Sequence, residues 1–219
     1  MARKKNITAE KIIDLYMSAL LTDENIPKTV YAFAHANNFE EKDFYKYFSN
    51  FDVLEKHIFS LFCENTLALL AENEDYAHYA PKDKLLSFYF TFFEMLNANR
   101  SYVYLKLAQN KNKLEALKLL SKLRSTFLKY IESEIYTHSV DLKNKTLNSL
   151  NKKGTNETAW AQLLFTIQFW LEDTSPNFEK TDIFIEKSVQ VSFDLKEIKP
   201  LESVLDFAKF LWKEKTMST

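Results

Sequence analysis

One glycine, Gly154, and four prolines in 219 residues leave this chain very few places to reverse direction sharply. Sheets built from hairpins need a turn at the end of every strand, and glycine and proline supply those turns most cheaply. What remains is rich in Leu, Lys and Glu, which are good helix formers, so the expected fold class is all-α. Hydrophobic residues make up 46% of the chain and charged residues 27%, enough to bury a sizeable core in one large domain or in a small domain set on a larger one. The single cysteine, Cys63, excludes an internal disulfide and fits a reducing, cytoplasmic setting. No apolar run follows Met1 to Asn6, so no signal peptide is expected. No charge-free window is long enough to span a bilayer.

Apolar spacing predicts helices almost throughout. Thr8 caps a first helix whose inner face is Ile12, Ile13, Tyr16, Leu20 and Leu21. Thr29 caps a short second helix to Ala36, and Asn37-Asn38 forms a tight turn. A third helix is expected from Glu41 to Tyr47 and a long fourth from Phe51 to Glu72. Further helices are predicted at about 82–98, 101–109, 111–138, 157–172, 179–195 and 201–214, with Asp141 to Asn156 as an exposed polar loop. The organisation expected is a head, residues 1–50, and a body, residues 51–219, with helix 51–72 connecting the two.

Three short helices with a tight turn between the second and third have the layout of a helix-turn-helix. Thr29-Val30, Phe33-Ala34, Phe39 and the run Phe44-Tyr45-Lys46-Tyr47-Phe48 follow one another at fixed spacing, and Asp52-Val53-Leu54 opens the next helix in register. On these residues the segment resembles the TetR family of bacterial transcriptional regulators. The family pattern runs Thr-Val, two residues, Ile-Ala, two residues, Ala-Gly-Val-Ser, then an aromatic Leu-Tyr-x-Tyr/His-Phe stretch. The resemblance implies a homodimer that holds operator DNA and responds to a small molecule in a helical ligand-binding and dimerisation domain. It turns Tyr45 and Tyr47 toward phosphate or base edges; with the local bases, the expected DNA contacts are Lys28, Thr29, Lys42, Tyr45, Lys46 and Tyr47, with Arg3, Lys4 and Lys5 as a basic arm. Val30, Phe33, Ala34, Phe39, Phe44 and Phe48 are expected to be the core of the head.

The departures from the pattern concern charge. Asn38 stands where the turn glycine is usual, and asparagine tolerates the left-handed conformation. Glu40 replaces a capping serine, Glu41 and Asp43 lie on the first turn of the third helix, and Phe51 replaces a lysine. Acids there suit the helix dipole but repel phosphate. Residues 1–48 carry seven bases and seven acids, so the head has no net charge to attract DNA.

In the body, aromatics crowd the segment from Phe88 to Tyr130. Two readings stand: a solid aromatic core, or an apolar pocket for a hydrophobic effector lined by Phe88, Phe92, Tyr102, Phe127 and Tyr130. Helices 157–172 and 179–195 are too apolar for the surface of a monomer. By the resemblance they form the dimer interface, expected at Trp160, Leu164, Ile167, Trp170, Ile185 and Val189, with Trp160 and Trp170 as anchors for either the core or the interface. Segment 201–215 is amphipathic with lysines on its flanks, which suits docking on its own domain or contact with a membrane surface. No phosphate-binding glycine loop, paired-cysteine site or HExxH occurs, so neither an enzyme nor a cofactor or metal is expected. The alternative function is a protein of the same fold that has lost DNA binding and serves as a lipid-binding accessory protein.

Overall fold

The head is set by side chains that cap its helices. In the computed structural model, which describes residues 7–22, 28–110, 112–136 and 145–197, Thr8 Oγ1 accepts the Lys11 amide at 3.2 Å and opens α1 (Ala9–Thr22). Thr29 Oγ1 accepts the Ala32 amide at 3.1 Å and opens α2 (Val30–Ala36). Asn37 and Asn38 then turn the chain, with Asn38 at φ 56°, in the left-handed region the sequence reading assigned to it. The Asn37 side-chain Nδ2 closes the turn by donating to the Phe33 carbonyl at 2.8 Å. Glu40 makes no side-chain cap, and α3 is a single turn, Glu41–Phe44, shorter than the expected 41–47. Beyond it the Tyr47 and Phe48 amides both bond the Phe44 carbonyl at 3.0 Å. That tight turn carries Phe48 back into the core and leaves Tyr45 and Tyr47 outside. Asn50 caps α4 (Phe51–Ala71) through the Val53 amide at 2.9 Å.

Phe33 is the hub of the head. Its ring meets Tyr16 at 5.9 Å, Phe39 at 5.5 Å, Phe51 at 5.8 Å and Phe44 at 6.4 Å, all near edge-on. These are favourable aromatic geometries, and truncating such a ring to alanine costs about 3–5 kcal/mol. Val30, Phe33, Ala34, Phe39, Phe44 and Phe48 are all buried, as the spacing predicts. Phe51, where the family pattern has lysine, stacks on Tyr16 at 5.1 Å and joins this core.

After α4 comes α5 (Pro81–Ala98), which has proline at its first helical position. Asn99 separates it from α6 (Arg100–Leu107). The single helix expected at 111–138 is instead α7 (Lys113–Leu119), α8 (Ser121–Tyr130) and a π-helical turn, Ile131–Ile135. Leu120, at φ −84° and ψ 4°, makes the break. The kink lets Leu119, Leu120 and Leu123 all turn inward, which a straight helix would spread around its circumference.

The loop expected at Asp141 to Asn156 is helical from Lys145 onward, as the start of α9 (Lys145–Glu172). Contacts distant in sequence favour the helix. Lys152 pairs with Glu132 at 2.8 Å, Asn156 donates to Glu132 at 2.6 Å, and Arg124 pairs with Glu157 at 2.5 Å. Gly154 sits exposed within it, at a cost of about 1 kcal/mol relative to alanine.

Pro176–Phe178 form a 3₁₀ turn leading into α10 (Glu179–Glu197). Asp173 ties this junction. Its Oδ1 accepts from the Ser175 amide at 2.8 Å and hydroxyl at 2.7 Å, and its Oδ2 accepts from the Thr181 amide at 2.9 Å and hydroxyl at 2.7 Å. Asn177 and Phe178 both lie at positive φ, and the Phe178 ring covers the Arg100 guanidinium at 4.3 Å. One contiguous apolar core runs from α1 to α10. Among the described residues there is no strand, and no helix is long and apolar enough to cross a membrane. The helix expected at 201–214 lies outside the described residues.

Candidate functional site

The outward face of α3 gathers most of the residues expected to touch DNA and gives each a partner of its own. Lys42 Nζ lies 2.6 Å from Glu40 Oε2, and Lys46 Nζ lies 2.7 Å from Asp43 Oδ1. The Tyr45 hydroxyl donates to Glu41 Oε1 at 3.0 Å. The Tyr47 hydroxyl donates to the Ile7 carbonyl at 3.2 Å. These contacts leave electrostatic signatures. The hydrogen bond from Lys46 holds the Asp43 carboxyl below the usual carboxylate range, and the bond to Glu40 raises Lys42. The bond to Glu41 raises the Tyr45 phenol. The three acids therefore lie against Lys42, Tyr45 and Lys46, and the face is locally neutralised. Lys28 and Thr29 are exposed at the start of α2, and the Thr29 hydroxyl keeps its proton while it caps. Arg3, Lys4 and Lys5 lie outside the described residues.

In the body, four of the five expected pocket residues meet. Phe88 stacks on Phe92 at 5.5 Å and on Tyr130 at 4.9 Å, and meets Phe127 at 5.3 Å. Tyr102 stands apart, against Phe59 at 6.0 Å. All five are buried. The Tyr130 hydroxyl donates to the Lys84 carbonyl at 3.0 Å and lies 2.9 Å from the Tyr76 hydroxyl. Burial, then the Tyr76 hydroxyl, pushes its phenol well above the ordinary range. Tyr102 is fully buried with its hydroxyl unpartnered, a costly arrangement that calls for a physical reason. Among the described residues no group of His, Cys, Asp and Glu could hold a metal ion.

A model of the protein family described as "Tetracyclin repressor-like, C-terminal domain" matches residues 84–211, more than half of the chain. The chain belongs to the TetR family. No curated protein and no solved structure matches it. The match covers the body, whereas the helix-turn-helix resemblance lies in the head. The two observations come from different parts of the sequence.

Members of the TetR family are regulators, and the residues expected to join two copies divide between the inside and the outside of the protomer. Ile167, Trp170, Ile185 and Val189 lie in the protomer's own core. Trp170 is held there by its indole N–H donating to Asn97 at 2.7 Å and by the Arg100 guanidinium 4.5 Å over its ring. Trp160 and Leu164 are half-buried against that core. The apolar side chains that α9 and α10 turn outward are Phe165, 68% exposed, with Ile183 and Val191. Between them Phe169 stacks on Phe184 at 4.6 Å, one ring from each helix. The sequence signal for this outer face was an apolar residue on every side of both helices, which marks the far face as well as the core face.

The sequence reading also missed a polar junction between head and body. Tyr16 on α1 donates to Glu55 Oε1 on α4, and Lys106 on α6 pairs with the same oxygen at 2.5 Å. Burial first, and then the Glu55 charge, push the Tyr16 phenol far up. These residues are 39 and 51 positions apart from Glu55 in the chain, so no local pattern joins them.

Proposed function

We propose that this TetR-family chain is a ligand-responsive transcriptional regulator that works as a homodimer. Its head, residues 1–50, reads operator DNA, and its body, residues 51–219, dimerises and binds an apolar small molecule, with α4 joining the two. The observation that carries the reading is a helix-turn-helix layout with a one-turn third helix, a Thr29 cap and left-handed Asn38, on a chain whose body matches the family. The outward apolar residues Phe165, Ile183 and Val191 support pairing of two copies through α9 and α10. The aromatic cluster around Phe88 supports an apolar effector, which would enter by displacing rings that now fill the space. Ligand and DNA would then be coupled through the angle between head and body. Fluorescence anisotropy on a labelled operator fragment tests this. Lys46→Ala weakens binding to all sequences and lowers its salt dependence. An unchanged isotherm would remove Lys46 from the contact surface.

A second reading has its own support. Lys42, Lys46 and Tyr45 are each engaged by an acid, which favours a protein that has kept the fold, lost DNA binding and binds lipid as an accessory protein. The membrane contact proposed for 201–215 lies outside the described residues. Flotation with liposomes, comparing the full chain with one lacking residues 201–219, separates the readings. Loss of flotation on truncation favours the lipid function, and no flotation of either form counts against it.

A further inference from the structure

Where the head meets the body, α1, α4, α6 and α7 border an open cleft of about 640 Å³. That is the size of a small-molecule site. Its floor is the Glu55–Lys106 pair, whose side chains are only 14% and 18% exposed. Leu20, Leu105 and Leu119 give it an apolar wall. On the α4 side Asp52 and Lys56 are paired at 2.7 Å. Across from them α7 presents Glu115 and Lys118, one helical turn apart, and neither side chain has a partner among the described residues.

We propose that this cleft is a ligand site separate from the aromatic body, and that it takes a small zwitterion of the α-amino-acid type with an apolar side chain. The lining is balanced in charge, with Lys56, Lys106 and Lys118 against Asp52, Glu55 and Glu115. A ligand of one sign would cover charges of its own sign and desolvate them without compensation. A zwitterion meets both signs. Glu115 and Lys118 offer a carboxylate and an ammonium side by side, at a spacing of about 5–6 Å between their Cβ atoms. That suits an ammonium and a carboxylate borne on one carbon, while the leucines take the side chain. Glu55 is the carboxylate at the floor of the cleft. Tyr16 of the head binds that same carboxylate, so an occupant of the cleft acts on the contact that joins head to body. The binding claim stands whether or not the head holds DNA.

Isothermal titration of the full chain with three probes of one carbon skeleton tests it: L-leucine, 4-methylpentanoate and 3-methylbutylamine. L-Leucine binds, and each single-charge analogue binds at least about tenfold more weakly. Glu115→Gln and Lys118→Ala are exposed changes that leave the far-UV circular dichroism unaltered. Each weakens L-leucine by about fivefold or more. No binding of L-leucine up to about 10 mM overturns the proposal. So does equal affinity for either analogue, or L-leucine binding that survives both substitutions, since the occupied site would then be elsewhere.

Discussion

Tyr16, from the head, and Lys106, from the body, meet on a single oxygen of Glu55, and the Lys106 ammonium lies 5.8 Å from the centre of the Tyr16 ring. Three helices distant in sequence are joined at one carboxylate that is largely shielded from water. Removing one member leaves the others partly desolvated, and this costs more than an exposed ion pair contributes.

Tyr16→Phe is expected to destabilise the fold by about 1–3 kcal/mol. Lys106→Ala also destabilises, and the two effects are not additive because both side chains use the same oxygen. Urea denaturation of the two single variants and the double variant measures the coupling. Strict additivity would mean that Glu55 does not join them.

Neutralising the acids of α3 should free its bases. A Glu40→Gln, Glu41→Gln, Asp43→Asn variant releases Lys42, Tyr45 and Lys46 from their present partners. It should bind random-sequence duplex DNA more tightly, with a salt slope steeper by about 1–2. Anisotropy titrations at several salt concentrations give the slope. Binding no tighter than that of the unaltered chain would mean that this face does not approach phosphate.

Two aromatic residues on α9 should behave differently. Phe165→Glu places a charge on the outward apolar face and should shift sedimentation toward the monomer with the fold intact. Trp170→Ala removes a core ring and should cost about 3–5 kcal/mol of folding stability. If Phe165→Glu sediments as the unaltered chain does, pairing does not use this face.

Asp173 gives a pH signature. Burial by itself would raise its carboxyl, but the hydrogen bonds from Ser175 and Thr181 outweigh that and hold it at about 2, against the ordinary 3.8. A carboxyl lower in the folded state stabilises fully above the ordinary value, and its contribution fades as pH falls from 3.8 toward 2. Asp173→Asn should therefore lower the unfolding midpoint at neutral pH, and its deficit should shrink over that acid range. Thermal melts of both proteins from pH 7 downward follow the difference. A deficit constant with pH would mean that the ionised form is not what ties α10.

What could be read beforehand was what a residue and its near neighbours settle between them. Thr29 caps α2 because a hydroxyl reaches an amide three positions on, and Asn38 turns the chain because its own backbone tolerates positive φ. The clamps Val30, Phe33, Phe39, Phe44 and Phe48 were legible for the same reason, since their spacing fixes a common side. The pairing of Lys46 with Asp43 was within reach too, as the two are three residues apart on adjoining turns. The polar run before Glu157 was misread because its helix leans on Glu132, which belongs to another element.

The sequence by itself determined the helical class, the trihelical head and the acids around its third helix. Scarce glycine and short-range hydrogen bonding act within a turn or two of chain. Tertiary structure alone decided that Trp170 and Val189 face inward while Phe165 faces out, and that Tyr16 and Lys106 share Glu55. Periodicity says that a face is apolar but not which surface covers it. Cover and charge pairing arise only when residues far apart along the chain are brought together by packing.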